Sequence, residues 1–521
     1  MRRRNRSKVP HDVRVADMTT APLARFHSNL RSLSLPLIGD DLTVVRAQMC
    51  AVLLNQKEHS FSEITRTLLD QHARGDTTGV DALTSHDLVD FYWAGASSIY
   101  GYASQAPTMA GFVLWMFQRA VDGFEVTESN KARNLALDFR GFRDSKRSSA
   151  AMKELARTVE GNLDYADSVG DAAWETLKNE DIFEASEREV IRRLVDGIGN
   201  QTMPQRDIAD AISARRRDSF WFDDYATLYE GLSAAAELLP AIRNATVHIA
   251  DFADGLARYR DDWFRIDQRY RQFTQAYLTA EFKQPIEALA DIVENTYVTD
   301  FLAPLGVAWQ QQVDAVARWR TIGVTSQSAF YDHYVAPTLK GRKKAVVIVS
   351  DALRYEVADE LSTKIRGENK FSATIEAMLG VLPSYTQLGM AALLPHTTLA
   401  HSDGGDPVLV DGQKSDGTAN RSKILSAVDG VAIQARDFVE MKSAERRNLY
   451  SSNQVLYVYH DTIDATGDKA VSEHKTFTAA ADAVRELIDI VKMLANANAT
   501  NIIVTADHGF LYQRSKLAEH F

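Results

Sequence analysis

Three short apolar runs in the last third of the chain do most to limit its fold: AVVIVS at 345–350, QVLYVYH at 454–460 and NIIVTA at 501–506. Each is too short for a helix and rich in Val, Ile or Tyr, so each reads as a buried strand. Between the second and third lies TFTAAADAVRELIDIVKMLANA, a strong helical pattern. The order strand, helix, strand implies a parallel crossover. After the first run, Leu353, Val357, Leu361 and Ile365 mark an amphipathic helix that stops at Gly367.

Every one of these runs ends in aspartate: Asp351 after the first, Asp461 and Asp464 after the second, Asp507 with His508 after the third. The carboxyl ends of parallel strands line one crevice, so side chains distant in sequence converge there. A single such aspartate reads first as a helix N-cap. Several carboxylates in one cleft repel each other unless a cation neutralises them, and this points to a metal site.

The segment LPSYTQLGMAALLP supplies a reacting group. Pro383 and Ser384 make a turn, and Thr386 opens the helix QLGMAALL, whose first N–H groups favour an anion. A hydroxyl beside a metal is placed to attack phosphorus or sulfur. Without the aspartates, Thr386 or Ser384 would read as a plain N-cap. No G-x-x-x-x-G-K-[ST], G-x-S-x-G, H-E-x-x-H or strand-following G-x-G-x-x-G is present. The His460–Asp461 dipeptide is weak support for an HD-type hydrolase, since His11–Asp12 and His86–Asp87 repeat it elsewhere.

From about residue 40 to 330 helical periodicity dominates, and the texture changes near 335. The division is therefore 1–335, mainly helical, and 336–521, α/β. Leu256, Tyr259, Trp263, Ile266, Tyr270, Phe273 and Tyr277 form a seam at alternating spacings of three and four, which predicts a packing stripe. Residues 401–421, rich in Gly, Asp and Ser, read as a surface excursion from the sheet. With 521 residues and a formal charge of -11, the chain is long enough for more than one core and is not a basic nucleic-acid footprint. MRRRNRSK and Arg215–Arg217 read as solvated basic runs. The single cysteine, Cys50, excludes an internal disulfide and reads as core packing, which suits a reducing cytoplasm. No apolar run reaches the roughly 18 residues of a membrane span.

The four segments VVIVSDALRYEVADEL, LGVLPSYTQLGMAALLP, YHDTIDATGD and VTADHGFLY, in this order, resemble the PglZ family of BREX phage-defence systems. The helical stretches YATLYEGL and YRDDWFRIDQRYRQF are similar to the middle of type 1 members, so the resemblance covers nearly the whole chain. It implies an α/β alkaline-phosphatase-like core with a mostly parallel sheet, preceded by a large mainly α-helical region. It further implies two metals and a Ser or Thr nucleophile. By motif, Asp351 resembles the first metal aspartate, Thr386 in PSYT the nucleophile of P-T-x-T, and Asp507 and His508 the D-H-G ligands. The second metal's D-x-x-G-H is matched by DATGD, giving Asp464 and Asp468 with aspartate in place of histidine. Family members extend beyond D-H-G to a further H-G-G-type histidine and begin earlier, so the resemblance implies a fragment truncated at both ends. His520 does not match the missing motif.

The expected function is a BREX component acting as a metal-dependent phosphohydrolase or phosphodiesterase, with Thr386 as nucleophile and Zn²⁺, Mn²⁺ or Mg²⁺ as cofactor. The alternative is a non-catalytic scaffold that docks the PglX methyltransferase along with other BREX proteins. A nuclease acting on DNA is a variant of the first reading, since phosphodiester hydrolysis needs the same groups.

Overall fold

In a computed structural model of the chain, the three apolar runs become strands of one sheet, and a fourth strand joins them. The structure describes residues 42–124, 130–340, 343–402, 407–467, 476–511 and 513–514. The strands are β1 (Ala345–Ser350), β2 (Gly430–Gln434), β3 (Val455–His460) and β4 (Ile502–Thr505), in the order β2-β3-β1-β4. All pairings are parallel: Ser350 lies opposite His460, Val349 opposite Thr505, and Gln434 opposite Tyr459. Every residue of β1 and β3 is buried, as continuous apolar runs in a two-sided parallel sheet require.

Side-chain alternation divides the work of the sheet. Ala345, Val347 and Val349 join Tyr457 and Tyr459 in a core with Leu388, Leu393 and Leu394. Helix α1 (Phe264–Thr279), α2 (Tyr355–Gly367) and α5 (Thr476–Asn496) pack on one another, while α3 (Thr386–Ala392) and α4 (Thr462–Gly467) are short helices near the strand ends. The buried stripe of α5, including Ala480, Ala483, Val484, Leu487, Ile490 and Leu494, is the helical face that the crossover pattern demands. The excursion at 401–421 is more ordered than its composition implies. Leu399–His401, Val408–Val410 and Gln413–Lys414 make an antiparallel sheet, with Val408 and Val410 buried.

The described residues form two compact units, one of the residues up to Val190 with Ser213–Asp224, the other of Ile191–Ile212 with the residues from Tyr225 onward. The first is helical. In it Cys50 is buried, and desolvation pushes its thiol up to about 12, so it packs as a small apolar side chain and not as a nucleophile. The basic run at 215–217 is not uniformly solvated. Arg216 and Arg217 are exposed, but Arg215 is buried and paired with the buried carboxylate of Glu187, because an enclosed charge needs a counter-charge.

The second unit contains the sheet and the aromatic stripe. Trp263, Ile266, Tyr270 and Phe273 are buried, as packing at helical spacing predicts. The stripe is not one regular helix, however: Tyr259–Trp263 is a π-helical turn between Phe252–Arg258 and α1. From that turn the Tyr259 hydroxyl donates to Asp267 Oδ2 at 2.6 Å, and Tyr297 donates to Asp267 Oδ1 at 2.9 Å. Arg354, just before α2, also pairs with Asp267, and Arg271 pairs with Glu356 and Glu360 of α2. Buried ions thus fix α1 against the segment that leaves β1. Among the described residues no helix is long and apolar enough to cross a membrane.

Candidate metal centre

Asp351 follows β1 directly, and its N–H donates to the His460 carbonyl at 2.7 Å, which extends the β1–β3 ladder by one step. It is not a helix cap. The helix after β1 begins only at Tyr355, with Arg354 in the capping position, so the carboxylate is left for another partner. Between them the buried residue Ala352 has φ of 62°, a left-handed conformation uncommon for a residue with a Cβ. That turn aims the Ala352 N–H at Asp507 Oδ1, 3.1 Å away, and so locks the two aspartates together.

Asp507 and His508 follow β4, which lies beside β1. Asp351, Asp507 and His508 each offer one ligand atom within 4.8 Å of the others. His508 Nε2 is 3.3 Å from Asp351 Oδ1 and 3.6 Å from Asp507 Oδ2. Two ligands of one tetrahedral Zn²⁺ lie about 3.4 Å apart at ordinary bond lengths. Asp351 Oδ1 and Asp507 Oδ2 are both buried, and their polar neighbours are His508 and each other. His508 Nδ1 lies 3.3 Å from the Gly509 carbonyl and donates to it in the neutral ring, which turns the Nε2 lone pair toward the two carboxylates. Three electron pairs meeting in a buried space call for a cation. In the metal-free chain protons answer that need: burial and then the neighbouring Asp351 push Asp507 up to about 7, and the bond to Asp351 raises His508 to about 9. The donor set therefore fits a divalent ion, with oxygen and imidazole nitrogen as Zn²⁺ or Mn²⁺ accept.

Thr386 reaches the same atom, its Oγ1 3.0 Å from His508 Nε2. It is the first residue of α3, and the capping position belongs to Tyr385, which makes no side-chain cap bond; Ser384 is exposed. Neither hydroxyl is a cap. The closeness of α3 depends on Gly389. A Cβ there would sit 2.2 Å from the Asp507 carbonyl oxygen and 2.7 Å from its carbon, both backbone atoms that cannot swing aside. Gly389→Ala is expected to push α3 away from the β4 end, costing about 1–3 kcal/mol by overpacking and weakening metal binding together with it. Thermal unfolding and metal titration of this variant check the point; unchanged values in both would mean the helix moves freely. Neither Gly389 nor Ala352 was legible as a site residue, because a glycine inside a helix and an alanine after a strand are ordinary in sequence.

The remaining acidic residues divide. Asp464, in α4, reaches within 4.0 Å of His508 Nε2 and stands at the margin of the cluster. Asp461 is exposed. Asp468 and His520 lie outside the described residues. His460 is buried and committed elsewhere, with Nε2 2.8 Å from Glu486 Oε2 and Nδ1 3.0 Å from Ser350 Oγ. It braces the β1 and β3 ends and belongs to no HD-type ligand set among the described residues. Asp507 and His508 open onto a cleft of about 1030 Å³ that Tyr259, Trp309, Trp319 and Arg354 also line.

Residues 330–520 match the model of the BREX system PglZ alkaline phosphatase-like domain. The chain belongs to the PglZ family. It is 33% identical over 514 residues to the alkaline phosphatase-like protein BrxZ of Escherichia coli O9:H4 (strain HS), a match that covers 92% of this chain and 59% of that relative. Over 372 residues it is 36% identical to the alkaline phosphatase-like protein PglZ of Bacillus cereus (strain H3081.97), covering 70% of this chain and 43% of the relative. The chain thus spans about half the length of these curated relatives. The PglZ match encloses β1 to β4, Thr386 and the Asp351–Asp507–His508 cluster, so the whole candidate centre lies inside the matched domain.

Proposed function

We propose that the PglZ domain is a metal-dependent phosphoester or phosphodiester hydrolase with Asp351, Asp507 and His508 as metal ligands and Thr386 as nucleophile. One observation carries the reading: Thr386 Oγ1 and two buried carboxylate oxygens converge on the same His508 nitrogen. A bound Zn²⁺, Mn²⁺ or Mg²⁺ supplies positive charge that makes the hydroxyl a better nucleophile and offsets charge on the phosphoryl oxygens. Asp351 and Asp507 hold it, and Ala352 keeps the Asp507 carboxylate in place. Thr386 Oγ1 bonds to phosphorus and loses its proton to water. The ester oxygen leaves with its electron pair and takes a proton from water, and a second water then cleaves the phosphothreonine. Asp464, with Asp468, contributes to a second metal in this reading.

The same proposal places the chain in a BREX assembly with other BREX proteins as partners, which the description of the matched domain supports, and takes the PglX methyltransferase as one of those partners. The deciding experiment on the chemistry is elemental analysis of the purified chain together with hydrolysis of p-nitrophenyl phosphate mono- and diesters before and after chelation. Stoichiometric metal and chelator-sensitive release of p-nitrophenol are expected. A chain that takes up no Zn²⁺ or Mn²⁺ after dialysis against either ion would sink the proposal.

A further inference from the structure

We infer that Gln327 is a positioning residue that locks the metal-ligand turn and the nucleophile-bearing segment into one register, an inference that rests on the proposed reading of the centre. Gln327 is 2% exposed, and its amide is spent entirely on backbone groups of two distant segments. Nε2 donates to the carbonyls of Ala506 at 3.1 Å and Asp507 at 2.6 Å, while Oε1 accepts from the Val381 N–H at 3.0 Å. One side chain thus bridges the ligand Asp507 and the strand exit that leads, five residues on, to Thr386.

Local structure explains why it stands there. Thr325 and Ser326 pair in parallel with Met378 and Leu379, so Gln327 and the residues after Leu379 leave a common short ladder side by side. Gln327 then opens a 3₁₀ turn, which turns its side chain inward while Ser326 Oγ stays on the surface with Ser328 Oγ. The Asp507 carbonyl is the meeting point: it accepts from Gln327 on one side and touches the Gly389 backbone position of α3 on the other. Gln327 also lies before the segment matched by the family domain, residues 330–520, so a motif search of that domain does not reach it.

A buried glutamine that satisfies backbone groups at a chain crossing is ordinarily structural and nothing more. The two roles differ in what they move. A structural plug alters global stability, whereas a positioning residue alters metal affinity and loosens both segments at once. Two variants separate them. Gln327→Glu keeps size and the acceptor for Val381 but sets a carboxylate against two carbonyls; Gln327→Met fills the space without polar atoms. Zn²⁺ affinity by chelator competition and amide exchange at 381–386, 506–508 and 345–350 are the readouts. Affinity is expected to fall about tenfold or more in both variants, with protection lost at 381–386 and 506–508 and kept in β1. Affinity within twofold of wild type, or loss of protection spread through 345–350 as well, overturns the inference. A wild-type chain that binds no Zn²⁺ overturns the reading of the centre, and the inference with it; wild-type binding with unaltered variants overturns the inference alone.

Discussion

Asp507→Asn is expected to raise the thermal stability of the chelator-treated chain near neutral pH and to abolish the further stabilisation that Zn²⁺ or Mn²⁺ gives the wild type. Asp507 is 1% exposed, and its ordinary carboxyl value is displaced to about 7 by burial and by Asp351. A carboxyl whose folded value lies above its unfolded one costs stability as pH rises: nothing is lost below about 4, and the full cost is present above about 7. His508 adds in the same direction over a later window. Its folded value of about 9 lies above the ordinary 6.5, so the stability it contributes is complete below 6.5 and disappears as pH rises through 9. The metal-free chain should therefore unfold at progressively lower temperature from pH 5 to pH 9. Asn at 507 keeps an acceptor for the Ala352 N–H and removes the charge, which flattens the part of that slope below pH 7. Each unit of displacement corresponds to about 1.4 kcal/mol, so the effect is within reach of a melting experiment. The sign reverses with metal present: a ligand at 100 times its Kd adds about 2.7 kcal/mol to the wild type, and the variant lacking a charged donor gains little of it. A variant less stable than wild type both with and without metal would identify Asp507 as structural and remove it from the ligand set.

How much of this was legible in sequence follows from what each part depends on. The runs around β1 and β3 announce themselves because strands buried on both faces must be apolar throughout, and β4, a partly buried edge strand, shows through the β-branched run IIVT. β2 does not: GVAIQ is an edge strand of partly buried residues, and its pattern is weak. The aspartates at the strand ends were visible because parallel topology alone brings Asp351 and Asp507 to one rim. What sequence could not separate was ligand from cap. Asp351 precedes a helix in either case, and only the three-residue gap before Tyr355 shows that the helix does not use it.

The supporting residues were invisible for a different reason. Ala352, Gly389 and Gln327 matter through backbone geometry: a left-handed φ, a missing Cβ against a carbonyl, and an amide shared by two remote chain segments. None of these depends on chemistry that a motif displays. Likewise Arg215 reads as surface charge in the run RRR, and only the burial of Glu187 opposite it shows otherwise. The aromatic stripe at 256–277 was legible as packing, but its π-turn was not, since the three-and-four spacing runs unbroken in sequence through Tyr259–Trp263.

Thr386→Ala is expected to remove hydrolysis while leaving metal binding in place. The substitution deletes the oxygen proposed to react, and loss of a nucleophile ordinarily costs about 10³-fold or more in turnover. Thr386 Oγ1 contacts His508 Nε2 but supplies neither of the carboxylate oxygens that flank it, so Zn²⁺ affinity should change by no more than a fewfold. Thr386→Ser restores a hydroxyl at the same position on α3 and should recover activity to within about tenfold. The discriminating readout is covalent: rapid quench of the wild type with a phosphodiester should give a phosphorylated peptide at position 386, absent from the alanine variant. Chelator-sensitive hydrolysis that persists in Thr386→Ala would mean that water attacks phosphorus directly and that Thr386 only orients His508. The geometry favours attack by the side chain, because Thr386 begins a helix held against the Asp507 backbone by a glycine, a closeness of approach that orientation of an imidazole through one hydrogen bond does not require.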